Sequence, residues 1–407
     1  MKNKIANLNK ATVILITALL INQLSGCVYA AIEESDLTIA RNNLQSGFSQ
    51  GLINNPNFIP QKEDKEIARN NPDSSFADII LLNPNYQIEA IDKEVAQNNP
   101  KSNFAESLAS NPNIVIEESD KNFVRSEPNT FFALELSKNP KYLVTKEDIA
   151  FAEKKPLTLF SAGLFSNPNY SPSKKHTEKL RRLVRRFPNS FQAALITSSK
   201  NYIVKETDKR LARKSVKKRY KNTFGISFFT LGVTLNPNYQ VEPIDKKIAR
   251  NNPESTFAIG ITQNPNYQIE DIDKEIARNN PESNFIEGLI DNPGFVVDSK
   301  DKETARNGFY TLFSDLVTHH KTWIVEEQDK KIARENIYTH FAEGITKNAT
   351  YLVEPQDKEI ARGNIDSDFA SGVTRNDTYL VEPQDKEIAR ENIDSYFAKG
   401  LTKNKNY

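Results

Sequence analysis

The chain has 407 residues and a net charge of +1. Its single cysteine excludes an internal disulfide, so packing alone must hold the fold. Beyond the first thirty residues no segment is apolar enough to cross a membrane, which excludes a multi-pass membrane protein. About 380 residues follow the leader, a length typical of two or three globular domains.

The N-terminal segment has the layout of an export signal. Lys2, Lys4 and Lys10 precede or border an apolar stretch over residues 11–22, which is too short to span a bilayer comfortably. Residues 1–26 are therefore predicted to be a cleaved signal peptide. An ordinary signal peptide cut after Ala30 also fits, because small residues stand near that position.

The run Leu24-Ser25-Gly26-Cys27 resembles the lipobox of bacterial lipoproteins. The resemblance implies that Cys27 receives diacylglycerol and becomes the mature N-terminus, with residues 27–35 as a linker between the lipid and the fold. Because Val28 and not aspartate follows the cysteine, the segment resembles those sent to the outer membrane in Gram-negative cells. On this resemblance we expect a lipid-anchored protein of the cell envelope.

From residue 36 onward the sequence repeats itself. The motif Asp-Lys-Glu-Ile-Ala-Arg, intact or degraded, recurs every 28 residues except in the middle of the chain. It begins at Asp36, Asp64, Asp92, Asp120, Asp148, Asp208, Asp245, Asp273, Asp301, Asp329, Asp357 and Asp385. A degenerate unit over residues 180–191 with a small insertion brings the number of units to thirteen, and the unit before Asp245 is nine residues longer. Such a period is typical of stacked helical repeats.

Seven of the eleven regular units carry a glycine at the same place. A Phe stands twelve residues after the Asp and an aliphatic residue four further on, so that both lie on one helical face, as Phe257 and Ile261 do. The glycine lies three residues after the Phe, at Gly51, Gly163, Gly260, Gly288, Gly344, Gly372 and Gly400. Glycine weakens a helix by about 1 kcal/mol relative to alanine. Its recurrence therefore predicts a close approach of neighbouring helices.

Two short helices are predicted in each unit. The first has about eight residues and begins near Asp245, or at Pro243, where the Asp caps the helix or favours its dipole and the adjacent Lys and Glu form a solvated face. The second has about eleven residues, with Asn252 as N-cap and Pro253 at the first helical position, and ends before Pro265. In the Asn-Pro-Asn-Tyr connections we expect Asn to cap helices and Tyr to enter the core between units. A row of these Tyr and Asn residues that binds sugars or peptides is the alternative.

The predicted fold class is all-α, an α-solenoid of about thirteen two-helix repeats. Helices about 8–10 Å apart would give a curved rod on the order of 100 Å long or more. The Ala-Arg-Asn-Asn-Pro run resembles an element of the leucine-rich-repeat variants, a group related to HEAT-like arrays, although the 28-residue unit is longer than theirs. After Tyr407 no polar capping unit follows, so this end is expected to meet a partner or another copy, or simply to be short.

A basic segment, residues 173–222, separates the repeats 36–172 from the repeats 223–407. It carries seventeen Lys or Arg and three acids, a net charge of +14 against −13 for the rest of the chain. Fields of this size attract polyanions. The candidate anion-binding residues are Arg181, Arg182, Arg185, Arg186, Lys214, Lys217, Lys218, Arg219 and Lys221. A solvated segment, or one that pairs with the acidic flanks of the same or another copy, remains an alternative.

The sequence favours binding over catalysis. It has no phosphate-binding loop, metal-spaced cluster, cysteine nucleophile or serine-hydrolase elbow, so we expect no enzyme, cofactor or metal site. His319 and His320 are adjacent and diverge, which makes a poor metal site, and Trp323 is expected in the core. The leading hypothesis is a membrane-tethered envelope scaffold that binds a protein or glycan through an extended surface. The alternative is a lipoprotein that binds lipopolysaccharide, anionic lipid or nucleic acid, and the third hypothesis is an enzyme of unknown type. Self-association is also open.

Overall fold

The computed structural model describes residues 32–216 and 227–407. Within these ranges the chain forms 26 α-helices and no strand, arranged as thirteen consecutive pairs. The all-α repeat architecture predicted from the sequence is thus confirmed. We call the two helices of a unit its first and second helix, and number the units 1 to 13.

In chain order the pairs are α1 Glu34–Asn42 and α2 Gly47–Ile53, α3 Lys62–Asn70 and α4 Ser75–Leu82, α5 Ala90–Asn98 and α6 Asn103–Ser110, α7 Glu118–Ser126 and α8 Phe131–Lys138, α9 Lys146–Lys154 and α10 Leu159–Ser166, α11 Lys174–Arg186 and α12 Phe191–Ser198, α13 Glu206–Ser215 and α14 Phe228–Leu235, α15 Pro243–Asn251 and α16 Thr256–Gln263, α17 Asp271–Asn279 and α18 Asn284–Ile290, α19 Ser299–Asn307 and α20 Leu312–Thr318, α21 Glu327–Glu335 and α22 His340–Lys347, α23 Pro355–Gly363 and α24 Asp368–Arg375, α25 Pro383–Glu391 and α26 Tyr396–Lys403.

The first helix of unit 8 begins at Pro243, one of the two predicted starts, but the predicted start of the second helix is wrong. Its N-cap is Ser255 and not Asn252, because the Ser255 hydroxyl accepts the Ala258 N–H at 3.1 Å. Asn252 instead ends the first helix and donates its side-chain amide to the Ile248 carbonyl. The second helix is therefore eight residues long instead of about eleven.

The connection after each second helix seals the core, as predicted. Asn264 donates its side-chain amide to the carbonyls of Thr234 and Asn236 in the preceding unit, at 2.6 and 3.0 Å. The ring of Tyr267 is buried between units. Tyr residues at this position are 0–3% exposed, which removes the alternative that their row binds sugars or peptides.

The recurring glycines allow the second helices to touch. A Cβ on Gly288 would overlap the Ile259 carbonyl and the Thr262 hydroxyl of the preceding unit, and the other recurring glycines meet a Ser or Thr hydroxyl in the same way. Second helices therefore pack directly on one another, whereas most neighbouring first helices are bridged by long Arg and Lys side chains. In a curved array the more closely spaced layer lies inside, so the second helices form the inner layer.

This curvature closes the array into a ring. The backbone N–H of Phe48 in unit 1 donates to the Ile393 carbonyl of unit 13 at 2.7 Å, as Phe285 does to Pro253 between units 9 and 8. Asn55 donates its side-chain amide to the Thr402 carbonyl at 2.9 Å, as Asn264 donates to the Thr234 carbonyl of the unit before it. The seam between unit 13 and unit 1 thus has the contacts of an internal junction.

The predicted curved rod is therefore wrong, because the unit expected to lie at a free end packs on the first unit of the same chain. Thirteen units close a circle with about 28° of rotation per unit. With inner helix axes about 8–10 Å apart and helices about 10 Å wide, the circle encloses an opening on the order of 20 Å.

We expect Gly288→Ala to lower the free energy of unfolding by about 1–3 kcal/mol, because the added methyl group overlaps backbone of the neighbouring helix. Gly363→Ala is the matched control, since no heavy atom lies within 4 Å of the position that an added Cβ would take. The control should be neutral or stabilised by up to about 1 kcal/mol. Urea unfolding of both variants measures the difference, and equal stabilities would contradict close packing at Gly288.

Candidate functional site

In twelve of the thirteen units a buried carboxylate holds the first helix to the preceding unit. Asp273 is fully buried and accepts the N–H of its own N-cap residue Glu270 at 2.8 Å. The Tyr267 hydroxyl donates to it at 2.7 Å and Arg250 Nε at 2.7 Å, both from the preceding unit. The repeated Asp is thus a cap, as predicted, and also the centre of an ion pair between units. Eleven of the thirteen junctions contain this Asp–Arg pair.

Of the Lys and Glu residues beside this Asp, the Glu is exposed, as Glu303 is, in agreement with the predicted solvated face, but the Lys is not. Lys302 donates to the Ile324 carbonyl of the next connection at 2.6 Å and pairs with the N-cap Glu326 at 2.5 Å. Hydrogen bonds from Lys302 and Arg306 hold the pKa of Glu326 below its ordinary value. Most charges of the repeat motif therefore connect units, and their catalytic use is not supported by this arrangement.

One junction has different groups at these positions. Between units 5 and 6, Glu153 occupies the Arg position and His176 the Asp position. The geometry persists, because His176 Nδ1 lies 2.7 Å from the Tyr170 hydroxyl and Glu153 accepts from the N-cap Ser173 at 3.0 Å. Burial lowers the pKa of His176, opposed in part by Glu153, so the imidazole is neutral near pH 7.

The side chains left over from this framework line the opening. On each second helix they occupy three positions, counted from the recurring Phe or its equivalent. These are the residue before it, the second residue after it and the sixth residue after it. We call these positions the inner wall. In unit 11 they are His340, Glu343 and Lys347. Their identity changes around the ring while the framework residues recur.

One sector of the inner wall is apolar. In units 4 to 8 these positions hold Phe131, Leu159, Phe191, Leu235 and Ile259 among others. Phe131 is 41% exposed and Phe191 43%, which is unusual for such large apolar side chains. The sector spans neighbouring units, so its apolar groups form a continuous strip rather than scattered residues.

Other sectors place like charges together. Burial and the nearby cations Arg375, Lys347 and Lys399 lower the pKa of Lys403. Burial and the nearby acids Glu135 and Asp78 raise the pKa of Glu106. Between units the framework pairs almost every cation with an anion, whereas these inner-wall groups repel one another. Such unfavourable arrangements concentrate at binding sites, because a ligand of opposite charge relieves them.

The structure divides the residues predicted to bind anions. Arg181 is buried, pairs with Glu178 at 2.5 Å and stacks over Tyr202, and Arg185 pairs with Asp208 at 2.7 Å. These two guanidinium groups serve the junction between units 6 and 7. Arg182, Arg186 and Lys214 are exposed, on first helices and hence on the outer layer. The remaining candidates, Lys217, Lys218, Arg219 and Lys221, and the lipidation candidate Cys27 lie outside the described residues.

The histidine pair is not brought together. His319 lies on the inner wall and pairs with Asp315 at 3.3 Å, which raises its pKa. His320 bonds to Thr322 and packs edge-on against Phe295. Trp323 is fully buried, as expected of a core residue.

Sequence reasoning missed a cluster formed by His340, Glu343 and Asp368, whose potential ligand atoms lie within 4.8 Å of one another. Two signals were present. His340 and Glu343 are three residues apart on one helix, and Asp368 stands 28 residues after His340, at the same position of the next unit. What the sequence did not reveal is that this position faces the opening.

Comparison with known proteins gives no match: neither a protein-family model, nor a curated protein, nor a solved structure resembles the chain significantly. Among the described residues, none of the helices combines the length and the hydropathy needed to cross a bilayer.

For the junction between units 5 and 6 we predict that two substitutions are energetically coupled. His176→Asp alone should destabilise the ring, because the new carboxylate faces Glu153. Adding Glu153→Arg recreates the arrangement of the other junctions and should recover stability. The double-mutant cycle, measured by urea unfolding, should give a favourable coupling of about 1–3 kcal/mol. Additive effects would show that these positions do not interact.

Proposed function

We propose that this protein is a membrane-tethered, ring-shaped scaffold that acts by binding a protein partner on its inner wall. The observation that carries the proposal is the contrast between a framework whose charges are paired and an inner wall that exposes apolar groups and crowds like charges together. Concave surfaces of helical repeat proteins are their usual binding surfaces. A closed ring makes that surface continuous.

A protein fits this wall better than a glycan or a polyanion. The strip around Phe131 and Phe191 suits an apolar protein surface. The basic sector around Lys403 suits acidic side chains, while the acidic sector around Glu106 would repel a polyanion. A polypeptide supplies all three kinds of group, so we favour it over the alternatives.

The proposed tether is supported by the face on which the described chain begins. The N-cap Glu33 of unit 1 lies on the face where all first helices start. On the same face, eight connections expose an aliphatic side chain. It directly follows the buried residue at the Tyr position of the connection. These side chains are Ile59, Val115, Leu143, Ile203, Val296, Ile324, Leu352 and Leu380. A lipid at Cys27, six residues before Glu33, would bring this apolar face to the bilayer.

Anion binding by the outer surface is the second candidate. Arg182, Arg186 and Lys214 are exposed, and the structure shows no ion pair for them among the described residues. These cations remain available to lipopolysaccharide, anionic lipid or nucleic acid.

Site-specific photo-crosslinking in intact cells tests the proposal. A photoreactive phenylalanine analogue at Phe191 or Lys403 on the inner wall should give the same protein adduct from both positions. The analogue at Glu94, exposed on a first helix, should not give it. Cys27→Ser should release the ring from the membrane fraction if the lipid is the tether.

Absence of a reproducible adduct from either inner-wall position would contradict the proposal. The analogue is also placed at Arg186 on the outer surface. If only this position gives adducts, the basic outer surface is favoured instead, and the identity of the bound molecule shows whether it is a polyanion.

A further inference from the structure

The inner wall of units 11 and 12 gathers metal-binding groups from two neighbouring second helices. His340 and Glu343 lie one turn apart on α22, and Asp368 is the first residue of α24. One ligand atom of each lies within 4.8 Å of the other two. A metal ion with bonds near 2.1 Å separates its ligand atoms by about 3.4 Å. Side-chain rotations that move these atoms by about 1 Å would therefore complete the site. His340 is exposed and is free to make that movement.

The surroundings of these groups favour a cation. The carboxylates of Glu343 and Asp315 lie close enough to Asp368 to interact with it electrostatically, and the imidazole of His340 lies beside it. Asp315 is already paired with His319. No ion pair of Asp368 is found among the described residues, so its negative charge lacks a direct partner.

Glu343 has partners that a metal ion must accommodate. Its Oε1 accepts from the Ser371 hydroxyl at 3.1 Å and lies 3.4 Å from Arg375 Nη1. These contacts orient the carboxylate and leave its second oxygen available. Groups hydrogen-bonded to a ligating carboxylate commonly fix its orientation in metal sites.

The ligand types select the metal. One imidazole and two carboxylates suit first-row transition metals and zinc, whereas Mg²⁺ and Ca²⁺ prefer oxygen ligands alone. Three protein ligands leave at least one coordination position, which here faces the opening. We propose that His340, Glu343 and Asp368 bind one divalent transition-metal ion, with Zn²⁺ the best fit, and that the bound ion links units 11 and 12.

Calorimetric titration of the purified protein with ZnCl2 tests this site. Cys27 is replaced by Ser in every variant to remove the only thiol. The parent protein should bind one Zn²⁺ with the highest affinity and should melt at a higher temperature when Zn²⁺ is present. His340→Asn, Glu343→Gln and Asp368→Asn should each weaken this binding by about tenfold or more and remove the thermal shift.

The repeat itself supplies substitutions that preserve the fold. Asn284 and Gln50 occupy the corresponding positions of other units. Glu287→Gln, at the position of Glu343 two units earlier, is the matched control and should leave zinc binding unchanged. Circular dichroism of each variant verifies folding. The proposal is overturned if the parent does not bind one Zn²⁺, if a variant with all three ligand substitutions binds like the parent, or if the control loses binding equally.

Discussion

The buried carboxylate at the start of each first helix is the constraint on which the ring depends. Such a group is costly to bury without partners, and two of its three donors come from the preceding unit. In an open array, the carboxylate of the first unit would lack those two donors. Asp36 is fully buried, and it accepts from Arg390 at 2.8 Å and from the Tyr407 hydroxyl at 2.9 Å. Unit 13 thus supplies the donors that unit 1 would otherwise lack.

Closure also requires uniform curvature, which comes from the difference between the two layers. The glycines bring second helices into contact, while the Arg and Lys bridges keep first helices apart. Unit 6 shows that the geometry tolerates change on the outside, because its first helix is four residues longer than most. The exchange of Arg and Asp for Glu153 and His176 shows that it also tolerates the loss of the ion pair.

Much of this framework could be predicted from the sequence, since each element has a local cause. The recurrence of Gly288 and its equivalents predicts a close approach, and the Asn-Pro-Asn-Tyr run predicts a cap at Asn264 and a core residue at Tyr267. Ring closure was not predictable in the same way, because curvature arises from the relative spacing of two layers. Nor could the sequence show that Arg181 turns inward, since an exposed cation and a buried ion-paired cation look alike in a string of basic residues.

The separation of framework from inner wall organises the functional proposals. Framework residues repeat because each junction needs the same contacts, and the inner wall is free to vary because few contacts between units depend on it. Phe191 stays 43% exposed although it packs edge-on against Phe228, and the cations around Lys403 lie close together. The free energy lost by exposing an apolar ring and by crowding cations is explained if the wall binds a partner.

A disulfide across the seam tests ring closure most directly. A Cβ at position 47 would lie 3.1 Å from the Lys399 Cβ, near the separation that a disulfide needs. In a Cys27→Ser background, the pair Gly47→Cys and Lys399→Cys should oxidise within one chain at low protein concentration. The pair Ile259→Cys and Asn284→Cys, at the same positions of units 8 and 9, is the control. A ring predicts intramolecular disulfides in both proteins; a control that closes while the seam pair stays reduced, or links separate chains, would contradict it.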